Sequence, residues 1–232
     1  MKLYQLLLFL SAITFAQNNS QQVFTYKYES KAKLSSKTNS KNFDLNKQIE
    51  NELNKPHEIE VISNSVFSLI KVKESINNFQ STYQMNILPS PNWILNNFEN
   101  KQSIEQAEGL NNIFIKDSII SIKIKPTGNY KKVLNIQGEE FTASDDNNDY
   151  IFLLAKNDSI AISPMYFQFE NFIILEAFQK AKIKDEHDGY REIHYILDKI
   201  EDVKKNKQIN FKKLNSKKTI SRKEYNSIND LE

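Results

Sequence analysis

Between residues 112 and 162 the sequence repeats one pattern, a short run of β-favouring residues followed by a polar or glycine-bearing turn, and this repetition leaves few folds open. The runs are 112–116, 118–125, 130–136, 139–143, 150–155 and 159–162. Pro126-Thr127-Gly128-Asn129, Gln137-Gly138 and Asp145-Asp146-Asn147-Asn148 supply turns between them. Strands this short and this closely spaced predict an antiparallel meander. With only 4 Gly and 5 Pro in 232 residues, the turns must rely on Asn, Asp and Ser, which tolerate turn conformations better than other side chains.

The flanking sequence extends the same picture. Residues 23–29 alternate and predict a first strand, 31–41 read as a polar loop, and 43–53 predict a short amphipathic helix ended by Pro56. Residues 58–63, 66–72 and 80–87 are further strand candidates, and Pro89-Ser90-Pro91 is a break. Residues 92–107, with the only tryptophan at Trp93, fit neither period and read as a loop with a helical turn. Further on, 172–184 predict a long strand. Residues 190–203 admit two readings: Ile193, Ile196, Leu197, Ile200 and Val203 lie on a helical stripe, yet His187-Asp188-Gly189 is a hairpin turn that would pair this stretch with 172–184 as a strand. The basic end, 204–232, reads as a polar tail with a short helix from Arg222, where Ser221 and Glu224 form a capping box. The expectation is a mainly β (β-rich α+β) chain, an antiparallel meander forming one large curved sheet or half-barrel, with minor helices near 43–53 and at the C-terminus. Residues 17–203 form its single domain.

Residues 1–16 bear on compartment. Met1-Lys2 is a short positive region, 3–15 are almost uninterruptedly apolar, and Thr14-Phe15-Ala16 presents small residues for a signal peptidase, so cleavage is expected between Ala16 and Gln17. The apolar run is shorter than the about 20 residues that span a bilayer, so no transmembrane span is expected after cleavage. Without cysteine the chain has neither a lipid-attachment site nor disulfides, and an exported protein of this kind must be held by an ordinary core. Its 15 Phe and 10 Tyr suffice for one. A net charge of +2, from 31 basic and 29 acidic residues, argues against a nucleic-acid partner.

The stretch Ile162-Ser163-Pro164-Met165-Tyr166-Phe167-Gln168-Phe169-Glu170-Asn171-Phe172-Ile173-Ile174-Leu175-Glu176-Ala177 resembles the signature region of the GLPGLI family, exported proteins of Bacteroidota. In that family Pro-x-x-Phe leads into Gly-Leu-Pro-Gly-Leu-Ile, then Leu and an acidic residue. Pro164, Phe167, Ile173, Ile174, Leu175 and Glu176 match the frame, whereas Phe169 and Phe172 stand at the two glycines and Glu170-Asn171 at the Leu-Pro pair. The Phe15-Ala16-Gln17 leader end, Ser65-Val66-Phe67 and the Asp188-Gly189 hairpin also agree. The resemblance implies an exported β-rich fold and carries over no reaction, cofactor or catalytic residue. Asp117-Ser118-Ile119 and Asp158-Ser159-Ile160 have the Asp-Ser-aliphatic form of the O-glycosylation acceptor used in the periplasm of that bacterial group, which makes Ser118 and Ser159 candidate acceptors.

Groups able to do chemistry are sparse. The histidines are His57, His187 and His194. His187 with Asp185, Glu186 and Asp188 reads as a solvated charged turn, and the cluster at 145–149 lacks the glycine and terminal glutamate of a calcium loop, so no metal or other cofactor is expected. There is no Gly-x-Ser-x-Gly elbow and no phosphate loop. The densest apolar feature is the aromatic run Tyr166, Phe167, Phe169, Phe172 and Phe178, which reads as core filling or as a groove for a lipid or extended peptide. The functional expectation is a soluble protein of the periplasm or cell exterior, a non-catalytic binding or assembly component that takes an envelope protein, lipid or peptide. A periplasmic hydrolase with a carboxylate and histidine site is the competing reading.

Overall fold

The structure, a computed structural model, describes residues 20–34, 47, 51, 54, 56–73, 93–106, 114–158, 160–165, 167–183 and 189–229. Within them the chain is mostly strand. The elements are β1 (Gln22–Leu34), β2 (His57–Ser63), β3 (Phe67–Lys73), β4 (Trp93–Asn97), β5 (Gln102–Gln106), β6 (Phe114–Ser118), β7 (Lys125–Val133), β8 (Ile136–Ser144), β9 (Asn148–Lys156), β10 (Phe172–Ile183), β11 (Gly189–Asp202) and β12 (Thr219–Ser221). Two short helices, α1 (Phe211–Asn215) and α2 (Arg222–Asn229), lie near the C-terminus. No helix among the described residues is long and apolar enough to cross a membrane.

All twelve strands join one open sheet in the order β12-β6-β5-β4-β3-β2-β1-β11-β10-β9-β8-β7. β1 is the seam. The chain meanders outward from it through β2 to β6, crosses to the far edge at β7, and meanders back to β11, which pairs with β1 from Gln22↔Asp202 to Leu34↔Gly189. Among the described strands every pairing is antiparallel except that of β12 with β6, which makes the sheet mixed.

The strand reading of residues 190–203 holds, and a bulge explains their helix-like spacing. Ile193, Tyr195 and Leu197 alternate into the core, but the register between β1 and β11 slips at Thr25/Tyr26, where Asp198 is the extra residue. A bulge inserts one residue and reverses the alternation beyond it, so Ile200 returns to the same face. The spacing 193, 197, 200 thus imitates a helix while the backbone stays extended.

Several local expectations need correction. Residues 92–107 contain the hairpin β4–β5 rather than a loop; its alternation is hidden because Asn96 and Asn97 are buried, with Asn96 Nδ2 donating to Ser68 Oγ at 3.3 Å. β1 runs on to Leu34, through residues expected to start a loop. Conversely, residues 119–124 leave the sheet except for a bridge from Ile120 to Phe167, and 160–165 contribute only the bridge from Ile162 to Ile173. The turn between β7 and β8 falls on Leu134-Asn135, both at positive φ (50° and 64°), as in the hairpin turns whose twist suits paired strands. Gly128 and Gly138, which drew the expected turns, lie inside β7 and β8. The 43–53 helix, apart from Lys47 and Asn51, and the 80–87 strand lie outside the described residues.

Two apolar clusters occupy opposite faces of the sheet. Val61, Ile70 and Ile94 belong to the larger cluster with Phe24, Tyr26, Phe152, Ile174 and Leu197, while their neighbours Ile62, Leu69 and Leu95 belong to the second. Adjacent residues on a strand point to opposite faces, so β2 to β4 are buried on both sides. The C-terminal segment makes that second cover. Phe211 is buried and stacks on Phe67 at 5.6 Å, and Ile209 and Leu214 pack beside it. Gln21 fastens the segment by donating Nε2 to Ile209 O (2.6 Å) and accepting from Ile209 N at Oε1 (2.8 Å). Residues 204–229 are therefore an integral cover of the sheet as well as a basic stretch. The expected capping box is present: Ser221 N donates to Glu224 Oε2 (2.7 Å) and Glu224 N to Ser221 Oγ (3.2 Å).

At the family-like motif, Phe172 N donates to Phe169 O (3.1 Å) and Asn171 sits at φ 65°, so residues 169–172 form a tight turn whose left-handed position is an asparagine. Phe169 and Phe172 occupy its ends, where no positive φ is required. Asn171→Gly is expected to be neutral and Asn171→Ala to cost about 1 kcal/mol, because alanine lacks the local polar compensation that lets asparagine adopt this conformation. Urea unfolding midpoints check both.

Candidate functional site

The long connection from β9 to β10 builds the most distinctive surface feature. Its base is closed by Asn157 N donating to Asn171 O (2.7 Å). One side is stitched to β10, with Ile162 N donating to Phe172 O (3.0 Å) and Ile174 N to Ile162 O (2.9 Å). The other side reaches the chain beyond β6, where Gln168 N donates to Ile120 O (3.1 Å). Between this loop, Ser65, the β4–β5 turn and residues 119–121 lies a cleft of about 330 Å³. Phe98, Ile119 and Ile160 give its wall an apolar part, and Lys101, Asp158 and Glu170 give it charge.

Gln168 belongs to that wall. Only 5 % of the residue is exposed, and neither Nε2 nor Oε1 has a hydrogen-bond partner among the described residues. Leaving a buried amide unpaired costs about 1–3 kcal/mol for each group, so the fold sustains Gln168 at a cost that its packing between Phe167 and Phe169 must offset.

The structure distributes the aromatic run over three environments. Phe169 is buried and meets Phe152 edge to face at 4.9 Å, and Phe167 meets Tyr150 at 5.2 Å, so the loop lays both rings over β9. Phe172 is half-buried against Phe141 (6.0 Å), and Phe178 is half-buried beside His194 (6.3 Å). Tyr166 lies outside the described residues. The two Asp-Ser-Ile tripeptides, distant in sequence, meet at the cleft: Ile119 lines it from one, Asp158 and Ile160 from the other. Ser118 is exposed at the end of β6, while Ser159 lies outside the described residues. His187 and residues 185, 186 and 188 do so too.

A carboxylate and histidine do converge, on neighbouring strands. His194 Nε2 lies 2.7 Å from Glu176 Oε1, and Lys131 Nζ donates to Glu176 Oε2 at 2.5 Å. Burial pushes the Glu176 pKa up, but the hydrogen bonds and charges of Lys131 and His194 outweigh it and hold the carboxylate below its usual range. The Glu176 carboxylate thus orients the His194 imidazole through one oxygen and is held by Lys131 through the other. A carboxylate with a lowered folded-state pKa contributes stability above its ordinary value of 4.5 and loses it as pH falls through the lower folded value. Glu176→Gln is therefore expected to flatten the loss of stability below about pH 4.5, measured by urea midpoints across pH.

The acidic turn at 145–149 is also structural. Asp145 Oδ1 accepts from Asn147 N and Asn148 N (both 2.8 Å), and Oδ2 accepts from Tyr150 OH (2.9 Å). A second hollow, about 510 Å³, lies between Trp93, Phe114, Leu69 and the C-terminal cover, with Lys71, Lys213 and Lys217 around it.

No family model matches the chain, and no curated protein is similar to it. Among solved structures it is similar to PNGF-II in two crystal forms. The form in space group P21 superposes with a TM-score of 0.53 at 16 % identity over 90 % of this chain, and the C2 form with 0.49 at 16 % over 88 %. This chain spans about a third of PNGF-II, 32 % and 31 % in the two forms. At that identity the likeness shows the fold alone.

The cleft escaped the sequence reading because its wall residues come from four separate stretches. Gln168 offered one faint signal: a polar residue between Phe167 and Phe169, in the densest aromatic run of the chain.

Proposed function

We propose that this protein is an exported component of the cell envelope that binds a ligand without transforming it, and that it is a divergent relative of the GLPGLI group. The single observation behind the binding reading is the cleft between the β9–β10 loop, the β4–β5 turn and residues 119–121, whose apolar wall of Phe98, Ile119 and Ile160 is flanked by Lys101, Asp158 and Glu170. The acid and base groups point the other way from catalysis, since Glu176 is held between Lys131 and His194. Export rests on the leader-like pattern of residues 1–16, and the aromatic run serves the fold that frames the cleft. Ser118, exposed at the cleft's border, is the acceptor to examine for a glycan.

Native mass spectrometry of the protein isolated from the envelope of an expressing bacterium tests this. The expected spectrum shows wild-type protein starting at Gln17 with a small added mass, which Ser121→Trp, filling the cleft from its exposed edge, does not carry. A chain that keeps residues 1–16 would sink the export reading. Turnover of chromogenic esters, peptides or glycosides that disappears in His194→Ala would establish the hydrolase instead.

A further inference from the structure

On the sheet face that the C-terminal segment covers, one row of residues runs across four neighbouring strands. Lys71 of β3 pairs with Trp93 of β4, and Gln106 of β5 pairs with Phe114 of β6. Trp93 Nε1 donates to Gln106 Oε1 at 3.0 Å and joins the two pairs. Lys71 lies two residues after Leu69, Trp93 two before Leu95 and Gln106 two after Ile104, so alternation puts the row on the face of the second apolar cluster. There it floors the hollow of about 510 Å³, which Ile209, Leu214 and the residues around them close from the other side.

We infer that this hollow binds an amphipathic organic anion, a short acyl chain or flat ring system that ends in a carboxylate, sulfonate or phosphate group. Trp93 is half-buried and its N–H is already bonded, so what it offers a ligand is ring surface. The Phe114 ring lies 5.6 Å from it, and Leu214 adds apolar contact from the cover. Lys71, Lys213 and Lys217 surround this apolar part, with Lys217 Nζ 5.2 Å from the centre of the Phe114 ring. Among the described residues that line the hollow none is acidic, and none of the three lysines has a carboxylate within ion-pair distance. Glu60, opposite Lys71 in the register, is taken by Lys73 at 2.9 Å. One sign of charge around an apolar wall favours an anion that carries an apolar body. Lys213 and Lys217 are exposed and screened by water, so the body supplies most of the affinity and the head supplies the choice of charge. The volume lies in the range of small-molecule sites and suits one such molecule rather than a lipid with two long chains.

Trp93 is the only tryptophan, so the intrinsic emission of the purified protein reads this hollow directly. Three probes below micelle formation separate head from body: decanoate, decyltrimethylammonium with the same tail and the opposite charge, and inorganic phosphate with charge and no tail. Decanoate is expected to shift the Trp93 emission to the blue, saturably and in the millimolar range, with decyltrimethylammonium at least about tenfold weaker and phosphate without effect. Reversing the exposed charges, Lys213→Glu with Lys217→Glu, is expected to weaken decanoate about tenfold or more and to leave decyltrimethylammonium no weaker, a pattern that damage to the fold would not produce. Equal responses to the two heads overturn the anion, and a shift with phosphate that matches decanoate overturns the apolar body. No saturable change with decanoate overturns the site, and a shift with phosphatidylglycerol vesicles in its place assigns the face to a membrane surface. Should the double variant fail to fold, the three probes on the wild type decide alone. Failure here leaves the cleft beside the β9–β10 loop untouched, because the described residues that line the two do not overlap.

Discussion

Phe169→Ala is expected to destabilise the protein by about 3–5 kcal/mol, a large share of what a single domain possesses. The ring is buried and lies 4.9 Å from Phe152, which is wholly buried and stacks in turn on Tyr150. Truncation opens a cavity among aromatic neighbours that cannot collapse, because Tyr150 and Phe152 are fixed in β9 between β8 and β10. The effect reaches the cleft. The loop is otherwise held by Phe167 on Tyr150, by buried Ile162 and Met165 and by a few backbone hydrogen bonds, so losing the Phe169 ring loosens the stretch next to it, Gln168 and the cleft wall included. Phe178→Ala is the comparison, expected to cost about 1 kcal/mol, because that ring is half-buried and lies beside His194 at 6.3 Å, outside the core cluster. Urea unfolding gives both values. Equal costs would mean that the aromatic run behaves as one surface strip rather than as a core with a peripheral member.

The reach of the sequence can be judged on the same residues. Alternation in β1 and β9 was plain because Phe24, Tyr26 and Tyr28, or Tyr150 and Phe152, face one side at every second position. It failed where the pairing is irregular. The β11 bulge turned a strand into a helical stripe, and Leu134-Asn135 took a turn that glycine usually marks, three residues before the glycine that drew attention. Buried Asn96 and Asn97 broke the pattern of β4 because polar side chains can face inward once another strand supplies a partner, as Ser68 does. Partners of that kind belong to topology. The cleft is harder still: it needs β6 near the β9–β10 loop, a proximity set by which strand lies beside which, and no local pattern records it.

The C-terminal segment carries the other large expected effect. Deleting residues 204–232 should cost at least what Phe211→Ala costs, about 3–5 kcal/mol, and should also leave the chain prone to association. Phe211 closes the second cluster over Phe67, and without it Ile62, Leu69 and Leu95 lose the cover on their face of the sheet. β12 is the strand that occupies the outer side of β6, so its removal presents a row of unpaired backbone groups to solvent. Arg222 bonds Glu105 and, at 3.3 Å, Asp117. Burial already raises the Glu105 pKa against the opposing pull of Arg222, and loss of the guanidinium leaves that carboxylate without its counter-charge. Because Arg222 is itself more than a third exposed, this part is worth only about 1 kcal/mol, and the lost packing dominates. Light scattering together with urea midpoints reads both consequences. A truncated chain that stays monomeric with an unchanged midpoint would show that a basic, lysine-rich end can rest on a sheet without supporting it, whereas the expected collapse would mean that Phe211, with Ile209 and Leu214 beside it, is enough to make a structural element of what reads as a solvated tail.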